Sequence, residues 1–222
     1  MSHDDFHVEP IPGLPAVPPE GERILWSGSP HWPSLARHAF HIDKVAIYFA
    51  VLITWRMGSQ WQGGGSAADV LGAALVPLVI AAAALTILAM IAYATARSTI
   101  YTITSRRIVM RFGVALPITF NIPFAAIASA GLRKFGDATG DLPVEQSEAK
   151  RLPYFVLWPH VRPWRFKSPQ PMLRCLSDVS QAARVLSEAL AAHTVLSPMT
   201  VSHQIETTRE IKVRAPQLVA AE

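Results

Sequence analysis

Charge and cysteine are what this chain has least of. Only 16% of its 222 residues are Asp, Glu, Lys or Arg, against roughly 25% in an ordinary soluble protein. The single cysteine, Cys175, excludes an internal disulfide and a cysteine-based zinc site, and it suits a domain in a reducing compartment. No Lys/Arg run exceeds the pair Arg106-Arg107, and basic and aromatic residues do not interleave as in RNA-binding proteins. The net charge of +4 therefore does not point to nucleic acid. No G-x-S-x-G, Walker loop, H-E-x-x-H or glycine-rich dinucleotide turn occurs, and the acidic pairs Asp4-Asp5 and Glu20/Glu22 have no partner base in sequence. The chain reads as a non-enzyme, without metal or cofactor. Residues 1–20 lack a basic n-region and an apolar h-region, so they do not read as a cleavable signal peptide.

Apolar residues make up 50% of the chain, and the mean hydropathy of +0.26 owes its excess to one stretch. From Val70 to Ala96 no charged residue occurs. As a helix this run is about 40 Å long, enough to cross a hydrocarbon core of about 30 Å, with a kink expected at Pro77. Val45–Trp55 is apolar but short. Extended to Phe40–Trp61 it gives about 33 Å of helix, with Lys44 able to snorkel at one end and Trp55, Arg56 and Trp61 at the other interface. A segment lying on the membrane surface is the alternative; the lack of a polar face favours the span. Gly63-Gly64-Gly65-Ser66 supplies a turn, so residues 37–97 read as a two-helix transmembrane hairpin with spans of about 40–61 and 70–96. Arg37 and Lys44 precede the first span and Arg97, Arg106, Arg107 and Arg111 follow the second, which places both termini in the cytoplasm. Ala89, Ala92 and Ala96 share one face of the second helix. Small residues so spaced let backbones approach closely in lipid. Another membrane helix, including that of a second copy in a homodimer, and the chain's own first span are both open as the neighbour.

After Arg97 the period changes. Thr99–Thr104 is β-branched and aromatic, Ser105-Arg106 makes a turn, and Ile108, Met110 and Phe112 then alternate with Arg107, Val109 and Arg111 as in a half-buried strand. Gly113 breaks it. Ile118, Phe120 and Ile122 alternate up to Pro123, and short strands are expected at Ser129–Phe135, Tyr154–Trp158 and Trp164–Lys167. A helix follows, with Ser177 as N-cap, Asp178 in its first turn, and Val179, Ala183, Leu186 and Leu190 as an apolar stripe. Antiparallel strands capped by a C-terminal helix make an α+β domain over 98–193, large enough for its own core. Residues 1–36 read as an extended Pro-rich segment and 194–222 as a mobile tail.

Two sets of residues carry a family resemblance. YTITSRRIVMRFG followed by FNIPFAAIASAGL is similar to the bacterial pleckstrin-homology-like (PH-like) domain often found behind paired membrane helices. The shared features are a Thr-x-x-Arg turn at Thr104–Arg107 and an Ile-Pro-x-x-x-Ile turn at Ile122, Pro123 and Ile127. From about Asp4 to His193, DDFHVEPIPGLP, PEGERILWSGSPHW, AFHIDKVAIYFAVL and LWPHVRPWRFKSPQPMLRC resemble the photosynthetic complex assembly proteins of purple bacteria (the PuhB family), encoded near the reaction-centre H subunit. The resemblance implies a PH-like fold in the cytoplasmic (intracytoplasmic photosynthetic) membrane. It also implies a protein needed for accumulation of the reaction centre and its light-harvesting 1 antenna. Reaction-centre and light-harvesting 1 subunits, or other assembly factors, are the implied partners. A membrane-anchored lipid- or bacteriochlorophyll-binding PH-like protein is the alternative.

Candidate site residues are few. His38 and His41 are three apart and would share a helix face just outside the first span, where neutral imidazoles can bind a metal ion or the magnesium of a bacteriochlorophyll. No third His or Cys ligand follows, so two amphipathic rings at the headgroup level are the favoured reading. His160, between Trp158 and Trp164, reads as a packed or turn histidine. Arg162, Arg165, Lys167 and Arg174 are expected to join Arg106 and Arg107 in a basic patch facing an anionic leaflet. Trp158, Arg162, Trp164 and Arg165, with Phe166, form a candidate protein-docking face, although core packing is expected for at least two of the three aromatics. Reporter fusions after Gly64 should report the periplasm, and fusions after Phe135 or Glu222 the cytoplasm. A cytoplasmic signal at Gly64 would leave the first segment lying on the membrane.

Overall fold

The computed structural model describes residues 11, 13–14, 16–136, 138–147 and 154–194; the expected tail beyond Thr194 lies outside the described residues. Chain order is β1 (Ile24–Gly28), α1 (Trp32–His38), α2 (Ile42–Gln62) and α3 (Ala67–Ser98), followed by β2 (Ile100–Thr104), β3 (Arg107–Phe112), β4 (Ile118–Pro123), β5 (Ile127–Ala130), β6 (Arg133–Lys134) and β7 (Gly140–Gln146). A helical turn α4 (Tyr154–Leu157), β8 (Met172–Leu176) and a last helix, α5, over 179–194 complete it.

The uncharged run from Val70 meets no helix-breaking cluster until the β-branched residues beyond Ser98, so α3 continues for 32 residues through Pro77. Its start is fixed by a capping box: Ser66 Oγ accepts from the Asp69 N–H at 3.3 Å while the Asp69 carboxylate accepts from the Ser66 N–H at 2.9 Å. The turn at Gly63–Ser66 folds α3 back on α2, making a helical hairpin. Among the described residues α3 is the one helix long and apolar enough to cross a membrane by length and composition. The other expected span, 40–61, is helical as α2, but Asp43, Lys44 and Arg56 interrupt its apolar run.

The described strands form two four-stranded antiparallel sheets, β1-β2-β3-β4 and one in which β7 pairs with β5, β6 and β8. Side chains such as Ile108, Met110, Phe112, Val144 and Leu173 share a core with Val179, Ala182 and Leu186 of α5. The Thr104–Arg107 turn holds because one hydroxyl serves both strands. Thr104 Oγ1 accepts from the N–H groups of Arg106 and Arg107 and donates to the Arg107 carbonyl, at 3.0–3.2 Å. After β3, Gly113 takes φ +124° and a Cβ there would collide with the Leu116 carbonyl, so the loop requires glycine.

Several expectations need correction. The Pro-rich segment 1–36 contains β1, an integral strand paired with β2, and most of α1, a short helix whose Pro33 sits in the first turn, where its missing N–H costs nothing. Tyr154–Trp158 begins as a helical turn, and Trp164–Lys167 forms no strand; Pro159 and Pro163, which cannot donate to a ladder, separate the two. The strand expected at Ser129–Phe135 is split between β5 and β6. Asp178, not Ser177, caps α5, its Oδ1 accepting from the Gln181 N–H at 2.9 Å.

A buried polar chain joins α3 to the strands. The Arg174 backbone N–H donates to Tyr101 Oη at 3.2 Å, and Tyr101 Oη lies 2.6 Å from His160 Nδ1. At the other end Thr99 Oγ1 donates to the Thr95 carbonyl at 2.7 Å and lies 3.3 Å from His160 Nε2. The Thr99 proton is committed, so His160 Nε2–H donates to Thr99 and its Nδ1 accepts from the tyrosine hydroxyl. Burial, with Arg174 nearby, pulls the His160 pKa down to about 3 and keeps the ring neutral.

Tyr101→Phe should leave His160 Nδ1 and the Arg174 N–H unpartnered in the core and lower stability by about 1–3 kcal/mol for each group, read by denaturation of the detergent-solubilised chain. An unfolded histidine protonates near 6.5, whereas folded His160 waits until about 3. The unfolded state thus binds more protons in that window, and stability falls as pH is lowered through it, by up to roughly tenfold in the folding constant per pH unit. Burial raises the Asp141 carboxyl, which acts in the opposite sense above its ordinary value. A His160→Asn variant, less stable at neutral pH, should lose less on acidification; equal slopes in thermal melts of the two proteins would discount His160 as the source.

Candidate functional site

His38 ends α1, and His41 caps α2 with a left-handed backbone, φ 54°. The three-residue spacing therefore does not place them on one helical face, because the chain turns between them. The fold nevertheless brings both to the wall of one cavity of about 770 Å³, at the seam between the helical hairpin and the strands. The His38 ring stacks on Phe135 at 3.8 Å between centroids.

α1 builds one side of this seam. Leu35 packs with Ala96 of α3 and Cys175 of β8, Ser34 Oγ is 2.8 Å from Thr139 Oγ1, and the His31 N–H donates to the Cys175 carbonyl at 2.7 Å. The opposite wall comes from β6 through β8, with Arg133, Asp141, Met172 and Arg174, and from the loop after α4, with Arg162 and Trp164. Arg174 is only 6% exposed. Its Nη1 donates to the Pro159 carbonyl at 2.9 Å and its Nη2 to the His38 carbonyl at 2.8 Å, while its buried Nε has no hydrogen-bond partner among the described residues. Asp141 accepts from the Cys175 N–H at 2.9 Å; burial raises its pKa, opposed by that bond and by Arg174 and Arg133.

Five basic side chains, Arg37, Lys44, Arg133, Arg162 and Arg174, line the cavity against two carboxylates, Asp43 and Asp141. Such a wall suits anionic oxygen, which guanidinium groups recognise by charge-assisted hydrogen bonds. Among the described residues no group of three or more His, Cys, Asp or Glu is placed to hold a metal ion.

The remaining sequence candidates separate. Ala92 and Ala96 are buried, Ala96 against Leu35 of α1, and Ala89 is half-buried. At Ala96 the small face is thus met by α1, an element that the sequence does not announce. Trp158, Trp164 and Phe166 are all exposed, Trp164 by 86%, so the expected core packing of two of them does not occur. Trp158 meets Phe40 edge to face at 5.6 Å, and Phe166 lies 4.5 Å from Tyr154. Arg165 and Lys167 are exposed outside the cavity wall, and Arg107 makes a bidentate pair with Glu22 at 2.9 and 3.2 Å. His160 lies buried behind the seam. Sequence reasoning missed Arg133 and Asp141 and misassigned Arg174 to the surface. The available signal was a charged residue inside the otherwise apolar MLRCL, which at a buried position must find partners.

Comparison with known proteins adds two findings. A family model for the bacterial PH domain matches residues 66–190, a span that takes in α3 as well as strands β2 to β8. An uncharacterized 23.7 kDa protein in the puhA 5′ region of Rhodobacter capsulatus is 43% identical over 193 residues, covering 86% of this chain and 90% of that one. No solved structure matches. The chain is thus a member of the bacterial PH domain family.

Proposed function

We propose that the chain is a non-catalytic assembly factor for the photosynthetic reaction centre and light-harvesting 1 core complex, held in the cytoplasmic membrane by the α2–α3 hairpin with both termini in the cytoplasm. The observation that carries this reading is the 43% identity, over nearly the full length of both chains, to a protein encoded in the puhA 5′ region. The sequence resemblance to the photosynthetic complex assembly family, itself encoded near the reaction-centre H subunit, points the same way.

The helices support it physically. Ile47, Val51 and Trp55 of α2 and Leu71, Leu75, Val79 and Ile87 of α3 are exposed, a surface that needs lipid or other membrane helices around it. Ala50, Thr54 and Gly58 form a shallow groove along α2 where a partner backbone can come close. Unassembled subunits bearing polar and pigment-binding side chains are costly to leave facing lipid. A transient helix partner lowers that cost and is displaced by the tighter contacts of the finished complex.

Near-infrared absorption of membranes from a strain lacking the gene, with and without a plasmid copy, tests the role. Reaction-centre and core-antenna signals per cell should fall relative to an unrelated membrane complex and return with the plasmid. Unchanged photosynthetic signals would remove the assembly function. Co-purification with a reaction-centre subunit should weaken when Ala50 and Gly58 are changed to Leu, which fills the α2 groove.

A further inference from the structure

We infer that the seam cavity is a binding site for the phosphate of an anionic phospholipid headgroup. The inference rests on the membrane placement of the hairpin and is independent of the assembly role.

The position of the cavity is the first ground. One of its walls is made by Arg37, His41 and Lys44, the residues at which the chain enters α2. With α2 in the bilayer, these residues lie at its cytoplasmic boundary, where phosphates are concentrated. Trp164 lines the cavity yet is 86% exposed, and Trp158 packs on Phe40 just before α2. Tryptophan at the mouth of such a site is at home among headgroups, with its ring among glycerol and upper acyl carbons.

Charge is the second. Arg37 and Asp43 approach at 3.9 Å with both side chains about two-thirds exposed, a weak pair that leaves the basic excess standing. The buried guanidinium of Arg174 spends Nη1 and Nη2 on neutral carbonyls, and its Nε has no partner among the described residues. Asp141, the carboxylate that couples to it, also faces Arg133 and accepts from the Cys175 N–H, so one carboxylate serves two guanidinium groups. Five basic side chains against two carboxylates leave the cavity short of negative charge. A phosphate in the cavity, contacted by the exposed Lys44 and Arg162 at the rim, supplies that charge.

The full chain in neutral detergent, melted with added phosphatidylglycerol, phosphatidylcholine or inorganic phosphate, tests the site. Phosphatidylglycerol should raise the melting temperature and phosphatidylcholine should not. A Lys44→Gln/Arg162→Gln variant, which also gives up the 3.1 Å Arg162–Gln170 side-chain hydrogen bond and is therefore compared with its own lipid-free melting temperature, should need about tenfold or more phosphatidylglycerol for half its effect, as expected from the loss of two charge-assisted contacts. Arg165→Gln, which removes an exposed charge outside the cavity, should respond as the parent does. An equal response to both lipids, an unaltered double variant, or an equal loss in Arg165→Gln would each overturn the site. Full stabilisation by inorganic phosphate alone would overturn the lipid as its source. Flotation with pure phosphatidylcholine vesicles separates the two levels. A chain that fails to float refutes the membrane placement, whereas one that floats but ignores phosphatidylglycerol in the melts refutes only the headgroup site.

Discussion

Arg174 donates from its backbone to Tyr101 of β2, from Nη1 to Pro159 in the loop after α4, and from Nη2 to His38 at the end of α1. Three segments far apart in sequence are thereby held by one residue of β8. Two of the acceptors are carbonyls that the helix end and the proline-rich loop would otherwise leave exposed or unpaired. The guanidinium cannot shed its charge, so the surrounding structure must hold it in place. The walls of the seam cavity, the position of α1 and the direction in which the aromatic loop leaves the domain all follow from that anchoring. A neutral histidine and a tyrosine continue the same tie into the end of α3, where Thr99 and Thr95 receive it.

Much of the fold was legible because it is periodic. The helix over 70–96, the turn at Gly63–Ser66, the alternating residues of β3 and β4 and the stripe of α5 each announce themselves by spacing, and each is found within a few residues of its expected place. The elements that escaped have no such signature. β8 is buried at every position, so MLRCL shows no alternation and its arginine looks like a surface residue. α1 is seven residues long and opens with Trp-Pro, which reads as a turn. In the 154–167 loop, aromatic content suggested strands, but prolines decided otherwise and turned the rings outward. The site was harder still. It draws Arg37 and Lys44 from beside the hairpin and Arg133, Arg162 and Arg174 from the domain, a meeting that only tertiary structure makes.

Family membership and local physics agree on what kind of unit this is. The bacterial PH match begins at Ser66, the N-cap of α3, and runs to Leu190 in α5, so the long apolar helix belongs to the matched unit along with the strands it feeds. β1 and α1 lie before that unit, yet β1 closes one sheet edge against β2 and α1 wedges between α3 and β8. The upstream segment therefore completes the matched unit, and the seam cavity exists only because that segment is in place.

A single residue, Thr99, separates the last turn of α3 from the first residue of β2, and it is fully buried. No hinge stands between a helix about 48 Å long and the sheet it enters. Helix and sheet behave as one lever arm: any change in the tilt of α3 swings the domain at its end through a matching arc, and a force on the domain is felt along the helix. With the hairpin in a bilayer, as proposed, thickness or crowding of the surroundings is thus converted into a change of posture of the domain.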